Sequence, residues 1–238
     1  MCAMDKRILI IIPAYNEAGN IEKLVDSIIR DYSCYDYIVI NDGSSDGTDS
    51  VCIRNSYNVI NLPINLGIGG AVQTGYRYAF ENGYDIAVQV DGDGQHDLKY
   101  IEKLVEPIIE ERADAVIGSR FLENKGFQST AARRVGIRFL SGLIRMLCGS
   151  KIYDVTSGYR AVNKRFIKVF AEDYSYDYPE PEAIISVKMH RGVIMELPVV
   201  MKERESGESS INFRNSVYYM IKVTLELIIC RISFGIRR

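Results

Sequence analysis

Gln89-Val90-Asp91-Gly92-Asp93-Gly94-Gln95-His96-Asp97 places two carboxylates one glycine apart at the end of an apolar run, Ile86 to Val90. Side chains alternate along a strand, so Asp91 and Asp93 face the same way where the strand ends, and the glycines leave room for phosphates. That is a place to hold a hard divalent cation. Mg²⁺ and Mn²⁺ prefer oxygen ligands and combine one or two carboxylates with substrate phosphates, which points to a metal bridge to a nucleoside diphosphate. Asp-Gly pairs are also common turn formers, so the same residues equally make a surface turn.

Other strand ends carry polar groups suited to a nucleotide. Pro13-Ala14-Tyr15-Asn16-Glu17 follows the first apolar run, and the proline ends strand pairing there. Tyr15 suits packing against a base or ribose, and Glu17 suits ribose or base hydrogen bonds; Asn16 and Glu17 also read as the entry to a helix near Asn20. In Asn41-Asp42-Gly43-Ser44-Ser45-Asp46-Gly47-Thr48, Asp42 can accept from a nucleobase and Asp46 fits a helix N-cap, although such a run also serves as a plain connection. Asn65-Leu66-Gly67-Ile68-Gly69-Gly70-Ala71 has Val72 where a dinucleotide loop needs its third glycine. It also follows the third apolar run instead of the first, so close packing of a helix start is the better reading. No Walker loop, zinc spacing or nucleophile elbow is present, and neither His96 nor His190 has a triad partner in sequence.

These residues need a scaffold, and the hydrophobic pattern supplies one. Apolar, β-branched runs recur at 8–12, 37–40, 59–61, 86–90 and 113–117, separated by polar loops and helical patterns such as Ile21, Leu24, Val25, Ile28 or Ile101, Leu104, Val105, Ile108. Such alternation predicts an α/β fold with a mostly parallel sheet and crossover helices, which binds ligands along the carboxyl edge of its strands. Past Ile117 the alternation weakens; 123–130 reads as a loop and 131–148 as a basic helix. From Asn212 onward, Val217, Met220, Ile221, Leu225, Ile228, Ile229 and Ile232 form one helical stripe broken by Lys222, Glu226 and Arg231. Those charges argue against a spanning helix. The stripe fits a helix packed on the domain or on a second copy, or an interfacial helix whose Arg231, Arg237 and Arg238 meet anionic lipid.

The 238 residues, 47% of them hydrophobic, suffice for one substantial core. A net charge of −2 gives no global sign of the basic face that nucleic acid normally demands, so no nucleic-acid partner is expected. The cysteines, Cys2, Cys34, Cys52, Cys148 and Cys230, are scattered with no Cys-x-x-Cys, predicting reduced thiols and no zinc. The polar start, running directly into the first strand, predicts a cytoplasmic protein.

Taken in order, the Pro13–Glu17, Asn41–Ser44, Asn65–Ala71 and Asp91–His96 motifs, with Gly118-Ser119-Arg120-Phe121, Asp154-Val155-Thr156-Ser157-Gly158-Tyr159-Arg160 and Arg204-x-x-Gly207-x-Ser209, resemble family 2 glycosyltransferases. The resemblance runs to about residue 212 and is nearest the branch of dolichol-phosphate mannosyltransferase and bacterial polyprenyl-phosphate glycosyltransferases. It implies a GT-A (Rossmann-like) domain over 1–212 followed by an amphipathic, membrane-contacting helix over 213–238, and Mg²⁺- or Mn²⁺-dependent inverting transfer from a nucleotide sugar. By the resemblance, Pro13, Tyr15, Glu17 and Asp42 contact the nucleoside, and Ile40, Val90 and Gly92 line it by backbone or shape. Asp91, Asp93 and Gln95 bind the metal, Arg120 lies near the phosphates or acceptor, and Arg204 closes over the diphosphate. Asp154 is the candidate base or acceptor-orienting carboxylate, with Glu182 second, although Glu182 also reads as a first-turn helix residue after Pro181. Arg120, Arg133 and Arg134 supply cations for an acceptor phosphate. Ser210 stands where the mannosyltransferase branch has lysine, so sugar and base stay open.

The expected reaction is transfer to polyprenyl phosphate at the cytoplasmic membrane face, with transfer to a saccharide hydroxyl as the alternative within the class. An oligomer is compatible with either. A sugar nucleotidyltransferase would share the metal logic but needs a basic glycine-rich loop where this chain has Pro13–Glu17. A non-catalytic binding module would not need both Asp91 and Asp93.

Overall fold

The computed structural model describes residues 6–123, 125–126, 131–202 and 213–236. In chain order the elements are β1 (Ile8–Ala14), α1 (Ile21–Asp31), β2 (Asp36–Asn41), α2 (Thr48–Arg54), β3 (Val59–Asn61), α3 (Gly67–Glu81), β4 (Ile86–Gln89), α4 (Ile101–Ile109), β5 (Ala115–Ser119), α5 (Ala131–Cys148), β6 (Arg160–Asn163), α6 (Lys164–Glu172), α7 (Pro179–Met189), β7 (Ile194–Pro198) and α8 (Phe213–Ile236). The strands form one seven-stranded sheet in the order β3-β2-β1-β4-β6-β5-β7. All neighbours pair in parallel except β6, which runs antiparallel to both β4 and β5.

β1 is apolar without alternation because it lies at the middle of the sheet and is buried on both faces. Ile8, Ile10 and Ile12 pack under α1 and α4, while Leu9 and Ile11 meet α3 and α6 on the opposite face. Gly75 lets α3 approach that second face, since a Cβ there would stand 2.2 Å from Ile11 Cγ2. A third apolar cluster lies beyond β5, where Leu140 and Ile144 of α5 meet Ile184 and Ile185 of α7 and Val223 and Leu227 of α8. The C-terminal helix therefore closes the domain as part of its core.

The expected strands and the 131–148 helix are present, and β6 and β7 are additions to the sequence reading. The thiol expectation needs one correction: Cys34 is disulfide-bonded, whereas Cys52, Cys148 and Cys230 are free.

Candidate active site

The carboxyl ends of β1, β2 and β4 are tied together by backbone. Asp42 N–H donates to Ala14 O (2.9 Å) and Gly92 N–H donates to Pro13 O (3.1 Å), so three motifs distant in sequence share one edge. Side chains then lock the first two loops. Asn16, at φ 55°, donates its N–H to Ser44 Oγ (2.9 Å), and its Oδ1 accepts from Ser45 N–H (2.8 Å). Ala18 N–H donates to Asp46 Oδ2 and Glu17 N–H to Thr48 Oγ1. The N-cap position of α2 falls on Gly47 and not on Asp46 as expected, and Asp46, one residue earlier, accepts from Thr48 N–H (3.0 Å).

This rigid frame decides what each expected nucleoside residue can do. Tyr15 is half exposed, at 50%, and stands over the edge. Glu17 accepts from Asn20 Nδ2 (2.6 Å). Asp42 is buried, and its Oδ1 accepts from Leu66 N–H (2.7 Å), tying β2 to the glycine loop. Burial raises its pKa, and the Leu66 and Gly67 N–H groups oppose the rise. The Ile40 and Val90 side chains are wholly in the core, so only their backbone reaches the edge. Gly69 serves packing: a Cβ there would meet Ser175 O at 1.9 Å.

Asp91 is the most carefully positioned acid at this edge. Its Oδ1 accepts from Gln89 Nε2 (3.0 Å), and its own N–H donates to His96 Nδ1 (3.1 Å). That bond leaves the proton on His96 Nε2, which lies 3.6 Å from Asp91 Oδ2. His96 is only 5% exposed and stacks on Tyr159 with centroids 4.5 Å apart. The antiparallel register Gln89↔Arg160 sets Gly158 opposite Asp91, where a Cβ would stand 3.0 Å from Asp91 Oδ2. Asp93 Oδ1 accepts from Gln95 N–H (3.0 Å). Gln95 pairs with Lys202, donating Nε2 to its carbonyl (3.2 Å) and accepting its N–H (3.0 Å).

Asp91 and Asp93 are the residues fit to hold a divalent cation. They are hard oxygen donors, and Asp91 has no Lys or Arg ion-pair partner among the described residues. Among those residues no three His, Cys, Asp or Glu side chains form a cage, so a cation here would draw further ligands from a bound diphosphate.

On the far side of the edge, Asp154 is 0% exposed and spent on Arg120. Arg120 donates Nε to Asp154 Oδ2 (2.7 Å), Nη2 to Oδ1 (2.6 Å) and Nη2 to Thr156 Oγ1 (3.0 Å), with its N–H also on Asp154 Oδ2 (3.0 Å). The burial of Arg120, which is 7% exposed, works against its charge, yet Asp154 more than offsets this and raises its pKa. Glu196 of β7 fixes the loop by accepting from Tyr153 and Asp154 N–H, both at 2.8 Å. Beside the role expected of Asp154, base or acceptor-orienting carboxylate, the structure gives it a holding role, since both of its oxygens accept from Arg120.

The carboxyl that does share the field of Asp91 is Glu180, in the first turn of α7. Burial is the main cause raising its pKa; Arg160 and Arg133 oppose the rise and Asp91 adds to it. Glu182, the expected second candidate, faces away, bonded to Ser175 and within the field of α8. Arg133 and Arg134 open α5, with Arg133 exposed on the Glu180 side. Arg204 lies outside the described residues. Sequence reasoning left His96 without a role and did not single out Gln89, Glu180 or Glu196. The polar Gln89 inside an apolar run was the one available signal.

A sheet with one reversed strand, helices on both faces and acidic groups at its carboxyl edge is the GT-A glycosyltransferase fold. The chain matches the model of Glycosyl transferase family 2 over residues 9–170 and belongs to that family. The UDP-N-acetylglucosamine--dolichyl-phosphate N-acetylglucosaminyltransferase of Methanococcus voltae is 35% identical over 82% of this chain and 85% of its own length. The undecaprenyl-phosphate mannosyltransferase of Micrococcus luteus is 29% identical over 87% of this chain and 88% of its own. Among solved structures, glucosyl-3-phosphoglycerate synthase from Mycobacterium tuberculosis with phosphoglyceric acid superposes with TM-score 0.71, covering 98% of this chain and 81% of that one at 21% identity. The same synthase with Mn²⁺, UDP and glucosyl-3-phosphoglycerate gives 0.67.

Proposed function

We propose that this glycosyltransferase moves a sugar from a nucleotide sugar to a polyprenyl phosphate at the cytoplasmic face of a membrane, with inversion and with Mg²⁺ or Mn²⁺ bound by Asp91 and Asp93. The observation that carries the reading is Asp91, fixed by Gln89, His96 and Gly158 and facing a wall that holds Arg120, Arg133 and Glu180. The relatives named for dolichyl and undecaprenyl phosphate support the acceptor, and the Mn²⁺–UDP complex of the synthase supports the metal. When bound, the cation would neutralise charge gathering on the departing diphosphate. The chain's part is positioning and electrostatics. The locked Asn16–Ser45 frame holds the nucleoside, Arg133 supplies positive charge toward an anionic acceptor, and Arg120, held by Asp154, shapes the wall beside it. A phosphate oxygen is already charged and attacks without a strong base.

A hydroxyl acceptor is the second reading, and Glu180 is the observation in its favour. A carboxyl with a raised pKa beside the reacting centre suits proton removal. Labelled UDP- and GDP-sugars offered with undecaprenyl phosphate in detergent test the first reading, and failure to form any lipid-linked product across the panel would sink it. Asp93→Ala is expected to abolish transfer and the metal-dependent thermal stabilisation by the donor while leaving the apo melting temperature within a few degrees. Glu180→Gln separates the acceptors: loss of roughly 10²-fold or more indicates a hydroxyl, and a change under about tenfold indicates a phosphate.

A further inference from the structure

Arg160 opens β6 at the middle of the sheet, paired with Gln89 of β4 and Ile117 of β5, and is 3% exposed. Side chains alternate along a strand, so Arg160 shares a face with Val162, which packs in the cluster under α3 and α6. There it lines a small cavity with Phe170, Ala183, Ile184 and Val187, all apolar. Stability does not account for a guanidinium in that place, since a well-packed apolar side chain of similar volume is commonly as good or better. Its Nε has no hydrogen-bond partner among the described residues. Whereas Arg120 bonds a carboxylate, Arg160 bonds two main-chain carbonyls, Nη2 donating to Ser157 O and Nη1 to Glu180 O (3.3 Å).

Those carbonyls belong to two different walls of the site. Ser157 precedes Gly158, the residue set against Asp91, and this wall is held without the Arg160 side chain. Ser157 Oγ donates to Gly118 O (2.6 Å), Gly118 N–H donates to Tyr159 O (2.8 Å), and β6 is paired on both sides. The other wall is the first turn of α7. It opens on Tyr178 at φ 53°, which gives the helix no side-chain cap, and Pro179 and Pro181 bring no N–H. Its neighbouring ties, Glu182 to Ser175 and Asp177 to Lys222, run to the preceding loop and to α8. Among the described residues, the hydrogen bond from the sheet to this turn comes from Arg160. We propose that Arg160 is a positioning residue that fixes the first turn of α7 against the rigid Asp91 wall and so sets the gap an acceptor enters between Asp91 and Glu180. Lysine does not replace it, because one ammonium lacks the planar fork that reaches both carbonyls. This role deepens the transfer reading and rests on it for which substrate meets which wall.

Arg160→Lys and Arg160→Met test this with two readouts. The first needs no substrate: amide exchange in the first half of α7 should quicken at least about tenfold in both variants, while β1 and β4 exchange as in wild type. The second is kinetic: kcat should fall about 10²-fold with the donor KM within about threefold of wild type, the split expected when only the acceptor wall is displaced. Both variants should melt cooperatively no more than about 12 °C below wild type, and the donor with Mn²⁺ should still raise that temperature. Full rescue by lysine would assign the effect to charge instead of the fork and overturns the proposal. So does a variant that unfolds, unchanged exchange in α7, or a loss of donor- and metal-dependent stabilisation that keeps pace with kcat. Quickened exchange in a protein whose wild type transfers to no acceptor refutes the transfer reading alone and leaves the hold of Arg160 on α7 standing.

Discussion

Gly158→Ala tests whether the position of Asp91 matters to function apart from the fold. The added methyl would stand 2.8 Å from Gln89 Nε2 and 3.0 and 3.2 Å from the Asp91 carboxylate oxygens, where ordinary contact begins at 3.4 Å. Gln89 is buried within β4, so the 2.8 Å contact to its Nε2 is relieved by turning its amide or by a shift of residue 158 itself. The Asp91 carboxylate, about one-third exposed, moves as well, by about 0.4 Å at Oδ2 (3.4 less 3.0). That shift exceeds the roughly 0.2 Å tolerance of a metal–ligand distance. It also stretches the 3.0 Å Gln89–Asp91 bond, a loss of about 1 kcal/mol. Weaker metal-assisted binding of the donor by about tenfold corresponds to ~1.4 kcal/mol. Overpacking costs about 1–3 kcal/mol of stability, so a chain of this size should melt about 2–12 °C lower. The assay is calorimetric titration of Mn²⁺ into the donor-loaded protein, alongside kcat and KM against metal concentration. Wild-type metal affinity and kcat in a well-folded Gly158→Ala protein would refute the claim that this glycine sets the Asp91 geometry.

Two further outcomes follow from the buried acids. Asp154→Asn removes the principal partner of a buried guanidinium and should cost about 3–5 kcal/mol, read as a fall of roughly 6–20 °C in melting temperature; a fall below about 3 °C would contradict the buried-pair reading. Glu182 has its pKa raised by burial, so its neutral form favours the fold and that contribution is lost as pH rises through the folded pKa. Glu182→Gln should therefore raise the melting temperature at pH 8 and leave it nearly unchanged below the ordinary carboxylate range, and a destabilised variant at pH 8 would reverse the assigned sign.

The nucleotide half was legible because its signals are local. Continuous β-branched runs give β1, β2 and β4, and the motif after each run fixes what stands at the edge. The acceptor half depends on pairings that spacing does not encode. β6 is four residues long, with arginine and asparagine at its ends, and its reversed direction is set by β4 and β5 on either side. Glu180 and Glu182 are two positions apart, about 200° around a helix, so one faces the site and the other α8. Composition gives no means of choosing between them. Asp154 has the chemistry of a base, and only the partner 34 residues away, Arg120, shows that both of its oxygens are committed.

The separate third cluster, among α5, α7 and α8, divides the molecule by tolerance to change. That cluster packs on the sheet through Ile117 of β5, away from the strands β1, β2 and β4 whose ends carry Asp42, Asp91 and the Asn16–Ser45 lock. A volume-conserving change among those three helices is therefore expected to leave the carboxyl edge of β1, β2 and β4 in place.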